Sequence, residues 1–185
     1  MALPKGMTQT KEKVSQKFDL EEIFGVDLSS RPDLKEQFGQ AVIDKILERT
    51  EQGKGRNDVS LAGYSKSYKD SAQFEQFGKS STVNMDLKGD MLDALDILSS
   101  SGNEVEVGFN GTLQNAKAYG HLSGMKGHKV LAGKTPKRPF FGLTKNERDE
   151  IKSQFVSELE SQLPETEDDE PINLEDIFRS VTTNQ

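Results

Sequence analysis

The sequence lacks cysteine and tryptophan altogether, and only two of its 185 residues are histidine. Without cysteine, the protein cannot form disulfide bonds, use a thiolate nucleophile or hold a metal through thiolate ligands. No apolar run approaches the roughly 18 residues that a membrane-spanning helix needs, and residues 1–30 contain no apolar segment typical of a secretory signal. We therefore expect a protein of the cytoplasm that does not enter a membrane.

Hydrophobic residues are also scarce. They make up 32% of the chain, whereas 30% of its residues are charged and the mean hydropathy is -0.70. A chain of this length and polarity fits one modest domain with appendages, some of whose apolar faces are covered by other proteins. Subunits of large assemblies often have such a composition.

Candidate catalytic and cofactor sites are weak throughout the sequence. His121 and His128 lie in a glycine-rich region with no Asp or Glu close in sequence to orient an imidazole. Residues 78–80 read Gly-Lys-Ser, as at the end of a phosphate-binding loop, but Gln73 stands where that motif requires its first glycine. The acidic residues 165–170 lack the alternating ligands of a calcium loop. We therefore expect no enzyme activity, no cofactor and no bound metal.

Charge is distributed unevenly along the chain, whose net charge is -7. Residues 107–146 contain no Asp or Glu, whereas residues 158–176 contain nine acidic residues and no Lys or Arg. Two interpretations remain open: both segments are simply solvated, or the basic segment of one subunit contacts acidic surface on a neighbour rather than DNA. In the second case the contacts come from a basic loop at residues 122–138. They are Lys126, Lys129, Lys134 and Lys137.

Apolar periodicity predicts helices and strands in the middle of the chain. Helices are expected at residues 32–51, 91–98, 116–121 and 144–162. Strands are expected at residues 82–87, 104–109 and 138–143. Thr144 and Glu147 form a capping box at the start of the last helix. Together these elements predict an α+β core domain over residues 31–162, with helices packed on a small, mainly antiparallel sheet.

Residues 52–82 show neither a helical nor a strand period and are rich in Gly, Ser, Lys, Gln and Asn. A structureless segment of this length inside a compact domain is uncommon and tends to be functional or ordered by a partner. We therefore interpret residues 52–82 as a long, extended internal arm. Its aromatic residues Tyr64 and Tyr68 are candidate contacts with other subunits.

The two ends of the chain carry near copies of one short motif. Residues 20–24 read Leu-Glu-Glu-Ile-Phe, residues 174–178 read Leu-Glu-Asp-Ile-Phe, and each follows a good helix N-cap. They predict docking helices that insert apolar side chains into grooves of partner proteins, unless the likeness of two short amphipathic turns is due to chance. The inserted side chains are Leu20, Ile23, Phe24, Leu174, Ile177 and Phe178. Residues 1–30 are then an N-terminal arm, and residues 163–185 an acidic linker with a C-terminal docking helix.

Three longer motifs follow one another along the chain. They are Leu-Ala-Gly-Tyr-Ser-Lys-Ser-Tyr at residues 61–68, Val-Asn-Met-Asp-Leu-Lys-Gly-Asp-Met-Leu at residues 83–92 and Arg-Pro-Phe-Phe-Gly-Leu-Thr at residues 138–144. Their order and spacing resemble the phage virion morphogenesis proteins, which are related to the tail-completion and head-to-tail joining proteins of long-tailed bacteriophages. The resemblance covers about residues 32–160.

This resemblance implies a non-enzymatic virion protein that forms a homo-oligomeric ring in the phage neck or at the head-proximal end of the tail. Such a ring joins the head or connector to the tail, contacts other neck, connector or tail proteins, and meets DNA only as cargo that passes through it. A tail-terminator ring is the alternative within the same class. From a different class, the alternative is a soluble assembly chaperone or nucleic-acid-binding factor that is absent from the mature particle.

Overall fold

Four antiparallel strands form the framework of the computed structural model, which describes residues 3–77, 82–85, 90–124, 136–161 and Phe178. The elements follow in the order β1 (Met7–Gln9), β2 (Val14–Asp19), α1 (Leu20–Phe24), α2 (Pro32–Glu51), α3 (Lys66–Lys69), α4 (Ala72–Gln76), β3 (Leu95–Ser101), β4 (Glu104–Phe109), α5 (Thr112–Ser123) and α6 (Lys145–Ser161). A 3-10 turn at Arg56–Asp58 follows α2. The predicted fold class, α+β with helices packed on a small antiparallel sheet, is confirmed.

The sheet has the strand order β1-β2-β4-β3. β2, from the start of the chain, and β4 are therefore the two central strands and lie side by side. Phe18 of β2 pairs with Val105 of β4. β3 and β4 form a hairpin across the two-residue turn Gly102-Asn103, where Gly102 has a φ of 54° that glycine adopts without strain. β4 confirms the predicted strand at residues 104–109. Its inward-facing side chains, Val105, Val107 and Phe109, are buried as expected.

Helix α2 covers one face of the sheet and has the predicted bounds. Proline in the first turn suits a helix start, because the backbone N–H that proline lacks has no partner there anyway. At Gly39 the helix lies so close to the sheet that a Cβ built there would be 2.5 Å from Ile97 Cδ1. The side chains that α2 buries at four-residue spacing are Leu34, Phe38, Val42 and Ile46.

Aromatic rings join α1, α2 and α6. The centroid of the Phe24 ring lies 5.8 Å from that of Phe38 and 5.4 Å from that of Phe155. α6 starts at the predicted capping box, in which the Thr144 backbone N–H and hydroxyl both donate to Glu147 Oε2, at 2.7 and 2.9 Å. The buried apolar face of α6 is the predicted one, formed by Ile151, Phe155 and Leu159.

Several predicted elements are wrong. Residues 95–101 form strand β3 instead of continuing a helix over residues 91–98, because pairing with β4 outweighs the helical spacing of the leucines. Residues 82–85 form no strand although Val83 is buried, and residues 86–87 lie outside the described part of the chain. The helix expected at residues 116–121 exists, and it is longer, as α5.

The segment at residues 138–143 is irregular where a strand was expected. Gly142 has a φ of 89°, which breaks the extended conformation. Phe140, Phe141 and Leu143 are nevertheless fully buried. The apolar character of this segment was therefore interpreted correctly, whereas its backbone conformation was not.

The predicted N-terminal arm is also wrong, since residues 7–24 form β1, β2 and α1 inside the domain. Strand β2 was hidden in the sequence because it buries the polar residues Ser15 and Gln16 beside Val14 and Phe18. Gln16 Nε2 donates to the carbonyl oxygens of Lys5 and Leu143, at 2.9 and 3.2 Å, and Gln16 Oε1 accepts from the Leu143 N–H at 2.7 Å. These bonds satisfy a buried amide that would otherwise oppose burial.

Candidate assembly surfaces

Residues 61–77 turn back on themselves as two short helices, and we call this segment the aromatic arm. α3 begins after Ser65, whose Oγ accepts a hydrogen bond from the Tyr68 N–H. α4 begins after Ser71, whose Oγ accepts from the Phe74 N–H. Because Ser71 caps α4 only two residues after α3 ends, the second helix starts almost directly after the first. The internal segment is therefore partly helical rather than extended.

Three aromatic rings pack against one another in the aromatic arm. The ring centroids of Tyr64 and Tyr68 are 5.3 Å apart, and that of Phe74 lies 5.6 Å from each. All three side chains are half-buried, and α3 and α4 contain no buried residue. The structure thus brings the predicted contacts Tyr64 and Tyr68 together. It adds Phe74, whose role could have been suggested only by its spacing from the two tyrosines.

Arg138 fastens the aromatic arm to the body of the domain. Its Nε donates to the Ala62 carbonyl at 2.9 Å, its Nη2 donates to the Gly63 carbonyl at 3.1 Å, and its guanidinium lies 5.8 Å from the centroid of the Tyr64 ring. Burial lowers the pKa of Arg138, but an arginine remains cationic under such conditions. The motifs at residues 61–68 and 138–144, far apart in sequence, therefore meet in one interaction.

The predicted basic loop at residues 122–138 is described only at its ends: residues 122–123 belong to α5, and residues 136–138 lead into this anchor. Lys137 is exposed and directly precedes Arg138. Lys126, Lys129 and Lys134 lie outside the described residues. The side of the domain that carries the aromatic arm therefore also carries the end of the basic loop.

His121 lies beside the same anchor, since its backbone carbonyl accepts a hydrogen bond from the Arg138 N–H at 2.9 Å. Burial, together with the nearby Arg138 charge, lowers the pKa of His121 to about 4. The imidazole is therefore neutral at neutral pH. These surroundings suit a packing residue better than a proton-transfer group.

The N-terminal motif at residues 20–24 belongs to the core of its own domain. Leu20 and Phe24 are buried and Ile23 is half-buried against the same core. Helix α1 follows β2 without a linker, with Asp19 accepting a hydrogen bond from the Glu22 N–H as its N-cap, so the helix cannot reach a separate protein. The prediction that these side chains insert into a partner's groove is wrong.

The C-terminal motif is described at one residue, Phe178. Its side chain is 5% exposed, and its ring centroid lies 5.7 Å from that of Phe24. The carbonyl oxygen of Phe178 accepts a hydrogen bond from Arg31 Nη1. Phe178 thus contacts the equivalent phenylalanine of the other motif copy. Leu174 and Ile177 lie outside the described residues.

The structure contains a buried charge cluster, formed by Arg49, Arg56 and Glu147, that was not predicted from the sequence. Arg49 donates to the Glu147 carboxylate and to the carbonyl oxygens of Phe140 and Gly142, at 2.6 and 3.0 Å, so it ties α2 to the segment before α6. Arg56 is only 5% exposed, and within the described chain its Nε has no partner while its Nη1 lies 3.7 Å from a methionine sulfur. One available signal was that Arg49 follows Ile46 by three residues and so continues the buried stripe of α2.

Within the residues that the structure describes, no group of three His, Asp or Glu side chains is arranged to hold a metal ion. None of these helices combines the length and the apolar composition that crossing a membrane requires.

Comparison of the chain with protein-family models, with curated proteins and with solved structures found no match.

Proposed function

We propose that this protein is a structural subunit of a tailed-bacteriophage particle, located in the neck or at the head-proximal end of the tail. Its domains form a closed ring that joins the head or connector to the tail. Copies in such a ring meet head to tail, so two different surfaces of each subunit face each other. The aromatic arm is one of these two surfaces.

The observation that carries this proposal is the half-buried aromatic cluster held by Arg138. Tyr64, Tyr68 and Phe74 contact one another, and helices α3 and α4, which carry Tyr68 and Phe74, contain no fully buried residue. Aromatic side chains are enriched in the centres of protein interfaces, where they supply a large contact area at little entropic cost. A cluster that the domain leaves half-exposed is therefore available to an adjacent subunit.

The charge of the aromatic arm favours a protein partner over a nucleic acid. Lys66 and Lys69 are balanced within the arm by Asp70 and Glu75. Binding to a phosphate backbone requires clustered cations, and each cation that is paired with a nearby acid contributes less. The balanced charge of the aromatic arm therefore suits a contact with an adjacent protein subunit.

The resemblance stated above supports the same proposal. Its first and third motifs, at residues 61–68 and 138–144, come together where Arg138 holds the carbonyls of Ala62 and Gly63. Arg138 of the third motif therefore positions the first motif, while Phe140, Phe141 and Leu143 of the third motif pack in the core.

The first test is self-association of the full chain with and without the aromatic cluster. The double variant Tyr68→Ala/Phe74→Ala should reduce the ring population measured by mass photometry, with apparent affinity at least ~30-fold weaker if the cluster is a binding hot spot of about 2 kcal/mol. Val59→Ala, which trims an exposed apolar side chain outside the cluster, is the matched control. Equal ring populations for all three proteins would contradict the proposal.

The second test is the protein inventory of purified particles of the phage that encodes the chain. A structural ring subunit is present at a fixed copy number per particle. Absence from finished particles, combined with a requirement during assembly, supports the soluble chaperone or nucleic-acid-binding factor instead. If the protein is found at the head-proximal end of tails that were purified without heads, the ring is a tail terminator.

A further inference from the structure

Phe178, near the C-terminus, packs into a pocket formed by residues near the N-terminus of the same chain. Its ring packs edge to face on Phe24, which in turn contacts Phe155 of α6. Arg31 donates to the Phe178 carbonyl and is held in place by Asp33, whose Oδ2 lies 2.7 Å from Arg31 Nη2. The pocket therefore recognises both an aromatic side chain and the backbone beside it.

The chain that leads to this pocket is long. Residues 162–177, sixteen in number, separate the end of α6 from Phe178, and they include Pro164 and Pro171. Sixteen residues can extend to roughly 55 Å, which exceeds the ~30–40 Å diameter expected of a domain of this size. A tether of this length is long enough to reach the Phe24 pocket of an adjacent copy.

The charge of the tether suits such a crossing. Residues 162–177 contain seven acidic residues and no Lys or Arg, whereas residues 107–146 contain seven basic residues and no acid. A tether that crosses to a neighbour brings these opposite charges together across the subunit boundary.

We propose that, in the assembled ring, the pocket formed by Phe24 and Arg31 takes Phe178 from a neighbouring copy of the chain in place of its own. The exchange preserves every contact of the pocket, so it costs little locally, and each tether then links two subunits. The proposal rests on the proposed ring. Many weak tethers around one ring act together, because each is held near its pocket at high effective concentration.

The test uses the full chain with the photoreactive residue p-benzoylphenylalanine in place of Phe178, which keeps an aromatic ring in the pocket. Equal amounts of this protein with natural and with heavy nitrogen are mixed as monomers, allowed to assemble, and irradiated. Mass spectrometry then identifies cross-links between residue 178 and the peptide that contains Phe24. We expect mixed-isotope and same-isotope cross-links in equal amounts in the ring, and only same-isotope cross-links in the dilute monomer.

The outcomes separate the exchange from the ring. A ring with only same-isotope cross-links to the Phe24 peptide overturns the exchange and leaves the ring intact. A chain that stays monomeric at every concentration contradicts both the ring and the exchange. The control places the same photoreactive residue at the exposed Leu113, where cross-links to the Phe24 peptide would report random collision.

Discussion

At the scale of single residues, the interior of this domain depends on a few polar side chains as much as on its apolar ones. Gln16, Arg49 and Asn115 each bond the backbone of a segment distant in sequence. Asn115 Oδ1 accepts from the Val14 N–H at 2.6 Å, and Asn115 Nδ2 donates to the Phe109 carbonyl at 2.8 Å. Each fixes the position of two elements, and the loss of any one leaves a buried polar group unsatisfied.

Glu147→Gln should be strongly destabilising. Glu147 is the carboxylate that pairs with buried Arg49 and also caps α6, and its loss leaves the charges of Arg49 and Arg56 buried without compensation. We expect the free energy of unfolding, measured with urea, to fall by about 3–5 kcal/mol. Glu150→Gln on the same helix is the control, because its pair with Lys45 is exposed and contributes at most ~1 kcal/mol. Similar losses for both variants would contradict the role of the cluster.

His121 should make stability depend on pH. The pKa of His121 is about 4 in the folded protein and 6.5 in an unfolded chain. The unfolded chain therefore takes up a proton first as the pH falls. The stability due to the neutral imidazole is complete above pH 6.5 and is lost progressively toward pH 4, by up to about 1.4 kcal/mol per pH unit. Urea unfolding between pH 6.5 and 5, above the range where most carboxylates titrate, measures this slope. His121→Gln should flatten it, and an unchanged slope would assign the effect to another group.

Alanine substitutions of Phe24 and of Phe178 show how strongly each terminal motif contributes to the stability of the core. Phe24→Ala removes a ring that contacts Phe38, Phe155 and Phe178, and should lower the free energy of unfolding by about 3–5 kcal/mol. Phe178→Ala should cost clearly less, since within the described chain it removes one ring contact whereas Phe24→Ala removes three. Equal losses measured by urea unfolding would make the C-terminal motif as integral to the domain as α1.

At the scale of elements, local signals decided which predictions succeeded. The helix at residues 32–51 and the start of α6 were predictable because proline, the capping box and the apolar stripes act within a few residues. The helix expected at residues 91–98 is wrong because residues 95–101 pair with β4 as an edge strand, in which only Leu95 is buried. Gly102-Asn103 carried the missing information, since such a pair between two apolar runs indicates a hairpin. Strand β2 gave no such signal.

The candidate site was predictable only in part, and for the same reason. Tyr64 and Tyr68 were found from composition, but their contact with Phe74 depends on two serine caps acting in succession. The role of Arg138 depends on hydrogen bonds to residues that lie 75 and 76 positions away in sequence. Hydrophobic periodicity cannot predict a contact over that separation.

Hydrogen exchange should show the aromatic arm responding to assembly. α3 and α4 contain no fully buried side chain, and helices of four or five residues are unstable alone. Their amides should exchange quickly in the isolated subunit and at least about tenfold more slowly in the ring. The amides of α2 serve as an internal control, because that helix is already packed on the sheet. Full protection of α3 and α4 in the monomer would remove the aromatic arm as an assembly surface.

At the scale of the whole molecule, the separation of charge along the chain should govern assembly. Lys129→Glu/Lys134→Glu reverses two charges of the basic loop, and should reduce ring formation at low salt and weaken its dependence on salt. Sedimentation velocity across a range of NaCl concentrations measures both effects. Lys152→Glu on α6 is the control for charge reversal elsewhere. Unchanged assembly combined with a loss of DNA binding would favour the nucleic-acid-binding alternative.

The position of β2 at the centre of the sheet also sets the order in which the protein can fold. Ser15 of β2 bonds to Glu106 of β4, 91 residues later, so this pairing must close a long loop, whereas β3 and β4 meet across two residues. During synthesis the N-terminal strands therefore leave the ribosome long before their partner exists. The hairpin β3–β4 is the natural first unit, and completion of the sheet is the slow step, expected on the millisecond-to-second scale. Until then β2 presents an unpaired edge, which makes the nascent chain most prone to aggregation just before β4 emerges.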